Sequence, residues 1–68
     1  MTPENFRKAR NALGLEQHEL ARQLGVPRSH VRRLERGWAK QVPAPTAKLM
    51  RAFQAGYRPA DWPRGGER

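Results

Sequence analysis

Sixty-eight residues allow one domain, close to the lower limit for a chain that folds on a single apolar core. Without cysteine there are no disulfides or thiolate metal sites, and apolar runs of only two or three residues lead us to expect neither a membrane span nor a signal peptide. A net charge of +8 and a sequence pI near 11.6 call for a polyanionic partner, nucleic acid or an acidic membrane surface, and eleven of the fourteen cations are arginines, suited to bidentate contact with phosphate and guanine.

Thr2 is placed to cap a first helix, with Pro3 in its first turn and Glu4 near its positive end. Phe6, Ala9 and Leu13 share one face of it, and Gly14 is its expected left-handed stop. A second helix is predicted from about Gln17 to Leu24, with Leu20, Ala21 and Leu24 inward and Gly25 as the break. A third follows from about Arg28 to Arg36 and closes at Gly37. Residues 37–44 read as a loop, and Pro45 suits the first position of a fourth helix carrying Leu49, Met50 and Phe53, with Gly56 as its stop. Pro59-Ala60-Asp61-Trp62 predicts one last turn. Nothing alternates with period two, so no strand is expected. The organisation is therefore a single all-α domain over residues 1–63, followed by a disordered tail, 64–68.

Two helices joined by a tight glycine turn, at about residues 17–36, form a helix-turn-helix pattern. With Arg28 at zero and about 100° per residue, Arg32 falls near 40°, Arg36 near 80°, Ser29 near 100° and Arg33 near 140°. Val31 and Leu34 fall near 300° and 240° on the same scale of about 100° per residue. One face can pack inward while the other offers arginines outward. From Arg28 to Lys40 there are five cations against Glu35, a net +4 and half the total charge in about a fifth of the chain. Alone, a basic helix face can be only a solvated one. Coupled to the turn, this face suits the reading of a DNA groove.

On Arg10, the Leu13-Gly14-Leu15 turn, Gln17, Glu19-Leu20-Ala21, Leu24-Gly25, Val31, Leu34-Glu35 and Gly37, the chain resembles the DNA-binding domains of lambdoid phage repressors and Cro proteins, the XRE-type family. The resemblance covers about residues 4 to 56. It implies a compact lambda repressor-like bundle of four or five helices with the third helix in the major groove. It also implies a cytoplasmic, nucleoid-associated regulator of double-stranded DNA, most often a repressor that binds an inverted repeat as a homodimer.

Arg28, Ser29 and Arg33 match the positions from which the family reads base edges, and Arg32 is a fourth reader on this reading. The family often has glutamine there, which suits adenine; arginine pairs with guanine O6 and N7, so guanines are expected in the half-site. Gln17 begins the second helix, where free backbone N–H groups favour phosphate, and the family bonds the DNA backbone with this glutamine. Arg36 and Lys40 flank the end of the third helix and are expected to meet phosphates. Trp38 either lies against the sugar-phosphate backbone or covers the core beneath the loop. The resemblance pairs Arg10 with Glu35; a local contact of Glu35 with Arg32 or Arg36 is the competing reading. Tyr57, Pro59 and Trp62 are candidates for a dimer interface, with Trp62 capping its own core as the alternative. Glu16 and Pro27 stand where the family commonly has Ser or Thr ahead of the second and third helices, so a helix start can shift by one residue.

Other classes of function find little support. One serine, one aspartate and two histidines assemble no triad, carboxylate pair or metal cluster, and the scattered glycines make no phosphate-cradling loop. No enzyme activity, cofactor, metal or small-molecule ligand is expected. An antitoxin-type protein that also binds a partner protein, and a non-specific basic protein acting on RNA or an acidic membrane, remain as alternatives; the second lacks an aromatic platform for single strands.

Overall fold

The computed structural model describes residues 1–63 as four helices: α1 (Pro3–Ala12), α2 (Gln17–Leu24), α3 (Arg28–Glu35) and α4 (Ala44–Gln54). Among the described residues there is no strand. The expectation for the tail, 64–68, lies outside them.

Local chemistry sets each boundary. Thr2 Oγ1 accepts the Asn5 N–H at 3.1 Å and starts α1, with Pro3 at its first position, where the missing N–H costs nothing. At α2, Glu19 Oε1 accepts the Glu16 N–H at 2.8 Å, so the glutamate one turn inside the helix serves the donor that the chain leaves exposed at its cap. Pro27 precedes α3 with φ −64° and ψ 150°, and α3 starts without a side-chain cap. Neither replacement of the usual Ser or Thr displaces a helix start. The fourth helix does begin one residue earlier than predicted, at Ala44, with Pro43 ahead of it and Pro45 at its second position; a proline fits any residue of a helix's first turn.

The core is a continuous cluster of Phe6, Ala9, Leu15, Leu20, Ala21, Val31, Leu34, Val42, Ala47, Met50 and Phe53. α2 packs on α3, and α1 lies against both α3 and α4. Leu24 and Leu49 reach the core only partly, as does Leu13. Ala47 takes the inward place predicted for Leu49, because Ala47, Met50 and Phe53 repeat every three residues along one stripe and Leu49 falls at its edge. Val42 is buried from within the α3–α4 loop, and its N–H donates to the Met1 carbonyl at 2.8 Å, tying the loop to the start of α1.

The fifth helix of the wider expectation reduces to a turn: the Trp62 N–H donates to the Pro59 carbonyl at 3.0 Å. Trp62 packs edge-on against Phe53, with ring centroids 4.9 Å apart, and the Arg58 guanidinium lies 4.4 Å from the centre of the Trp62 ring. Arg58 Nη1 also donates to the carbonyls of Phe53 and Tyr57 at 2.7 and 2.8 Å, closing the end of α4.

The turn between α2 and α3 rests on Gly25, whose φ of 72° and ψ of 29° lie in the left-handed region. A Cβ there meets nothing within 4 Å, so the cost of a side chain is conformational rather than steric. Gly25→Ala is expected to lower stability by about 1–2 kcal/mol, a fall in Tm of several degrees, about 4–8 °C per kcal/mol for a domain of this size. Gly25→Asn is expected to cost less, because asparagine tolerates the left-handed region. Thermal melts of both variants measure this; equal losses would contradict the backbone explanation.

Candidate nucleic-acid interface

α3 is eight residues long and has one acid, Glu35. Val31 and Leu34 are fully buried, while Arg28, Ser29, Arg32, Arg33 and the following Arg36 are exposed. The outward arc worked out from helical spacing is thus the exposed one. Ser29, Arg32, Arg33 and Arg36 line a shallow open concavity of about 280 Å³ along it.

The acids among the described residues are engaged elsewhere. Glu4 pairs with Lys8 at 3.3 Å, Asp61 lies 3.6 Å from Arg22, Glu16 Oε2 lies 3.9 Å from His18 Nδ1, and Glu19 caps α2. Glu35 turns away from its neighbours on α3. Its Oε2 accepts from Arg10 Nε at 2.5 Å, and its Oε1 accepts from Arg10 Nη2 at 3.1 Å. Both side chains are withdrawn from solvent, at 13% and 5% exposure. Among the described residues, neither Arg32 nor Arg36 pairs with Glu35, so the local alternative is not the arrangement adopted. Among the described residues, the arginines of the outward arc therefore have no acidic partner.

Gln17 joins this pair. Its Nε2 donates to Glu35 Oε1 at 3.0 Å, which leaves the second amide hydrogen and the backbone N–H of the helix start for another acceptor. Arg10 Nη1 donates to the Leu15 carbonyl at 2.9 Å, fastening α1 to the turn that leads into α2. Arg10, Glu16, Gln17, His18 and Arg28 line an open concavity of about 450 Å³ at one edge of the arc. The Gln17–Glu35 bond has no local signature in the sequence, because the two residues are 18 apart and meet only once α2 and α3 pack.

Trp38 does not cover the core: it is 62% exposed. Gly37, with φ 85°, turns the chain back, and the Trp38 N–H donates to the Arg33 carbonyl at 3.0 Å. Its ring stands edge-on to that of His30, with centroids 6.1 Å apart. The contact of His30 with Trp38 joins α3 to the loop that follows it and has no local signature in the sequence. Lys40 is exposed in the same loop. At the opposite end of the chain, Tyr57 is 55% exposed and lies parallel to Phe53, whereas Pro59 and Trp62 are partly buried. Trp62 serves its own core first.

A small all-α protein whose helix-turn-helix of α2 and α3 holds the basic α3 outward has the build of a DNA-binding regulator. The chain belongs to the helix-turn-helix family of Cro/C1 (XRE) type, whose sequence model matches residues 6–53. The match runs from one buried phenylalanine, Phe6, to another, Phe53, and so spans the whole core and all of α2 and α3. Comparisons with curated proteins and with solved structures find no significant match. The family is one of DNA-binding regulators rather than enzymes. Among the described residues no three His, Cys, Asp or Glu side chains are grouped to hold a metal ion, and no helix is long and apolar enough to cross a membrane.

Arg10 and Glu35 have left water for each other, so removing one strands the other. Arg10→Met and Glu35→Gln are each expected to lower stability by about 3–5 kcal/mol. Melts near the unaltered temperature in both would show that the pair does not hold α3.

Proposed function

We propose that this regulator is a repressor that binds an inverted-repeat operator as a homodimer, with α3 lying in the major groove. The observation that carries the reading is the exposed arc of Arg28, Ser29, Arg32 and Arg33, without an acidic partner among the described residues, on a helix whose Val31 and Leu34 are fully buried on the opposite face. An arginine fork matches guanine O6 and N7, so Arg28, Arg32 and Arg33 are assigned to guanine-containing positions and Ser29 to a shorter polar contact.

Phosphate contacts frame this arc. Gln17 offers its second amide hydrogen and its own backbone N–H at the start of α2, and Arg36, Trp38 and Lys40 follow the other end of α3. The Arg10–Glu35 pair is assigned the structural task of setting the pitch of α3 and keeping a carboxylate off the DNA.

Dimerisation follows from reach. One short helix spans few base pairs, and dimers of this motif read half-sites about 34–36 Å apart. The longest dimension of the chain is 33 Å, close to that spacing, which supports two copies set end to end along this axis. Tyr57 is the leading interface residue because it is exposed, with Pro59 and the outer edge of Trp62 beside it. Repression then requires nothing more than occupancy of the operator.

Selection of bound duplexes from a random pool is expected to enrich a guanine-containing inverted repeat holding two chains; the absence of any enriched sequence would overturn base readout. On the selected site, Arg28→Ala and Arg33→Ala are each expected to cost about 1–3 kcal/mol and to relax preference at one base pair, whereas Lys40→Ala is expected to weaken all sequences alike and to reduce the salt slope by about one. A uniform loss for the arginine variants would reduce their role to charge.

A further inference from the structure

The outward arc of α3 has two edges, and different chemistry stands at each. At about 100° per residue, Glu35 and Arg28 fall near 340° and 0°, and Arg33 and His30 near 140° and 200°. The first edge is polar: Gln17 bonds to Glu35, and Gln17, Arg10 and Arg28 line one concavity. The second edge is aromatic. There Trp38 is fastened through its N–H to the Arg33 carbonyl and braced by the His30 ring, with most of its surface in solvent.

An α-helix about 10–12 Å across nearly fills a major groove about 12 Å wide, so both edges of an inserted helix come up against a backbone wall. A cation or an amide serves a phosphate. An exposed indole serves the sugar, whose carbon-bound hydrogens offer the apolar surface that a tryptophan face can cover, and its Nε1–H is left for a phosphate oxygen. The ring is also in place beforehand, since Gly37 sets the loop and His30 limits the ring's freedom, so little order remains to be imposed on binding.

We infer that Trp38, positioned by His30, packs on the deoxyribose backbone of the strand opposite the one held by Gln17, and so fixes the depth and tilt of α3 in the groove. This rests on the DNA-binding reading of α3 given above. The contact is largely apolar, and that separates it from its neighbours: it adds affinity on every duplex without adding a released counterion.

The test compares the unaltered chain with Trp38→Ala, His30→Ala and His30→Phe on the selected duplex and on one of scrambled sequence, across a salt series. Trp38→Ala is expected to lose about tenfold in affinity on both duplexes with an unchanged salt slope. His30→Ala is expected to lose part of that, and His30→Phe to restore it. In a Trp62→Phe background, which leaves Trp38 as the one tryptophan, duplex is expected to shield Trp38 fluorescence from iodide. Circular dichroism melts establish that each variant is folded, and the exposure of Trp38 means its removal leaves the melt in place. Unchanged affinity of Trp38→Ala, or a Trp38 still open to iodide in the complex, would overturn the inference while leaving base readout intact. A change in oligomeric mass on Trp38→Ala, or shielding by single strands but not by duplex, would assign the ring to a second copy or to unpaired bases and would likewise overturn it. Failure of the unaltered chain to bind any duplex would remove the DNA reading itself.

Discussion

The interaction on which the rest of this structure depends is the ion pair of Arg10 and Glu35, with Gln17 attached to it. It joins α1, α2 and α3 at one point, and through Arg10 Nη1 it also holds the Leu15 carbonyl. Taking two charges out of water is costly, and the cost is offset only because both carboxylate oxygens and three donors on Arg10 are satisfied. The consequence for function is electrostatic. Glu35 is the only acid on α3, and once it faces α1 the outward arginines have no counter-charge within the helix.

α2 is held at both ends. The N-terminus of α2 is tied to Glu35 through Gln17, and its C-terminal part is tied to the last turn, where Gln23 Nε2 donates to the Asp61 carbonyl at 3.1 Å and Arg22 approaches the Asp61 carboxylate. That last turn is in turn held by the Phe53, Trp62 and Arg58 stack. Exposed bonds of this kind contribute little individually. Their value is that a short chain presents α3 in one orientation before a ligand arrives, which reduces the entropy lost on binding.

Much of this was legible in the sequence, for physical reasons that differ from place to place. Helix ends were readable because Thr2, Gly14, Gly25, Gly37 and Gly56 act through their own backbone or side chain. The inward and outward faces of α3 were readable because Val31, Leu34 and the arginines obey one helical period. What stayed hidden depends on contacts between residues far apart in the chain. The buried Val42, its bond to Met1, the Gln17–Glu35 bond and the docking of Asp61 on α2 have no local pattern. Trp38 is a different case, since a tryptophan in a loop reads equally as core cover or as surface, and only its exposure beside His30 decides between them. Trp62 was balanced in the same way, and its contact with Phe53 places it against its own core.

The central claim is that the arc of Arg28, Arg32 and Arg33 enters the major groove and meets guanines there. The direct measurement is the reactivity of guanine N7 toward dimethyl sulfate on a bound duplex, because N7 is exposed only in the major groove and is the atom that an arginine fork occupies. The account predicts protection of guanine N7 within each half-site by the unaltered chain, with protection lost at individual guanines when single arginines of the arc are replaced. Guanine N7 atoms that stay fully reactive in a duplex held by the protein would contradict it.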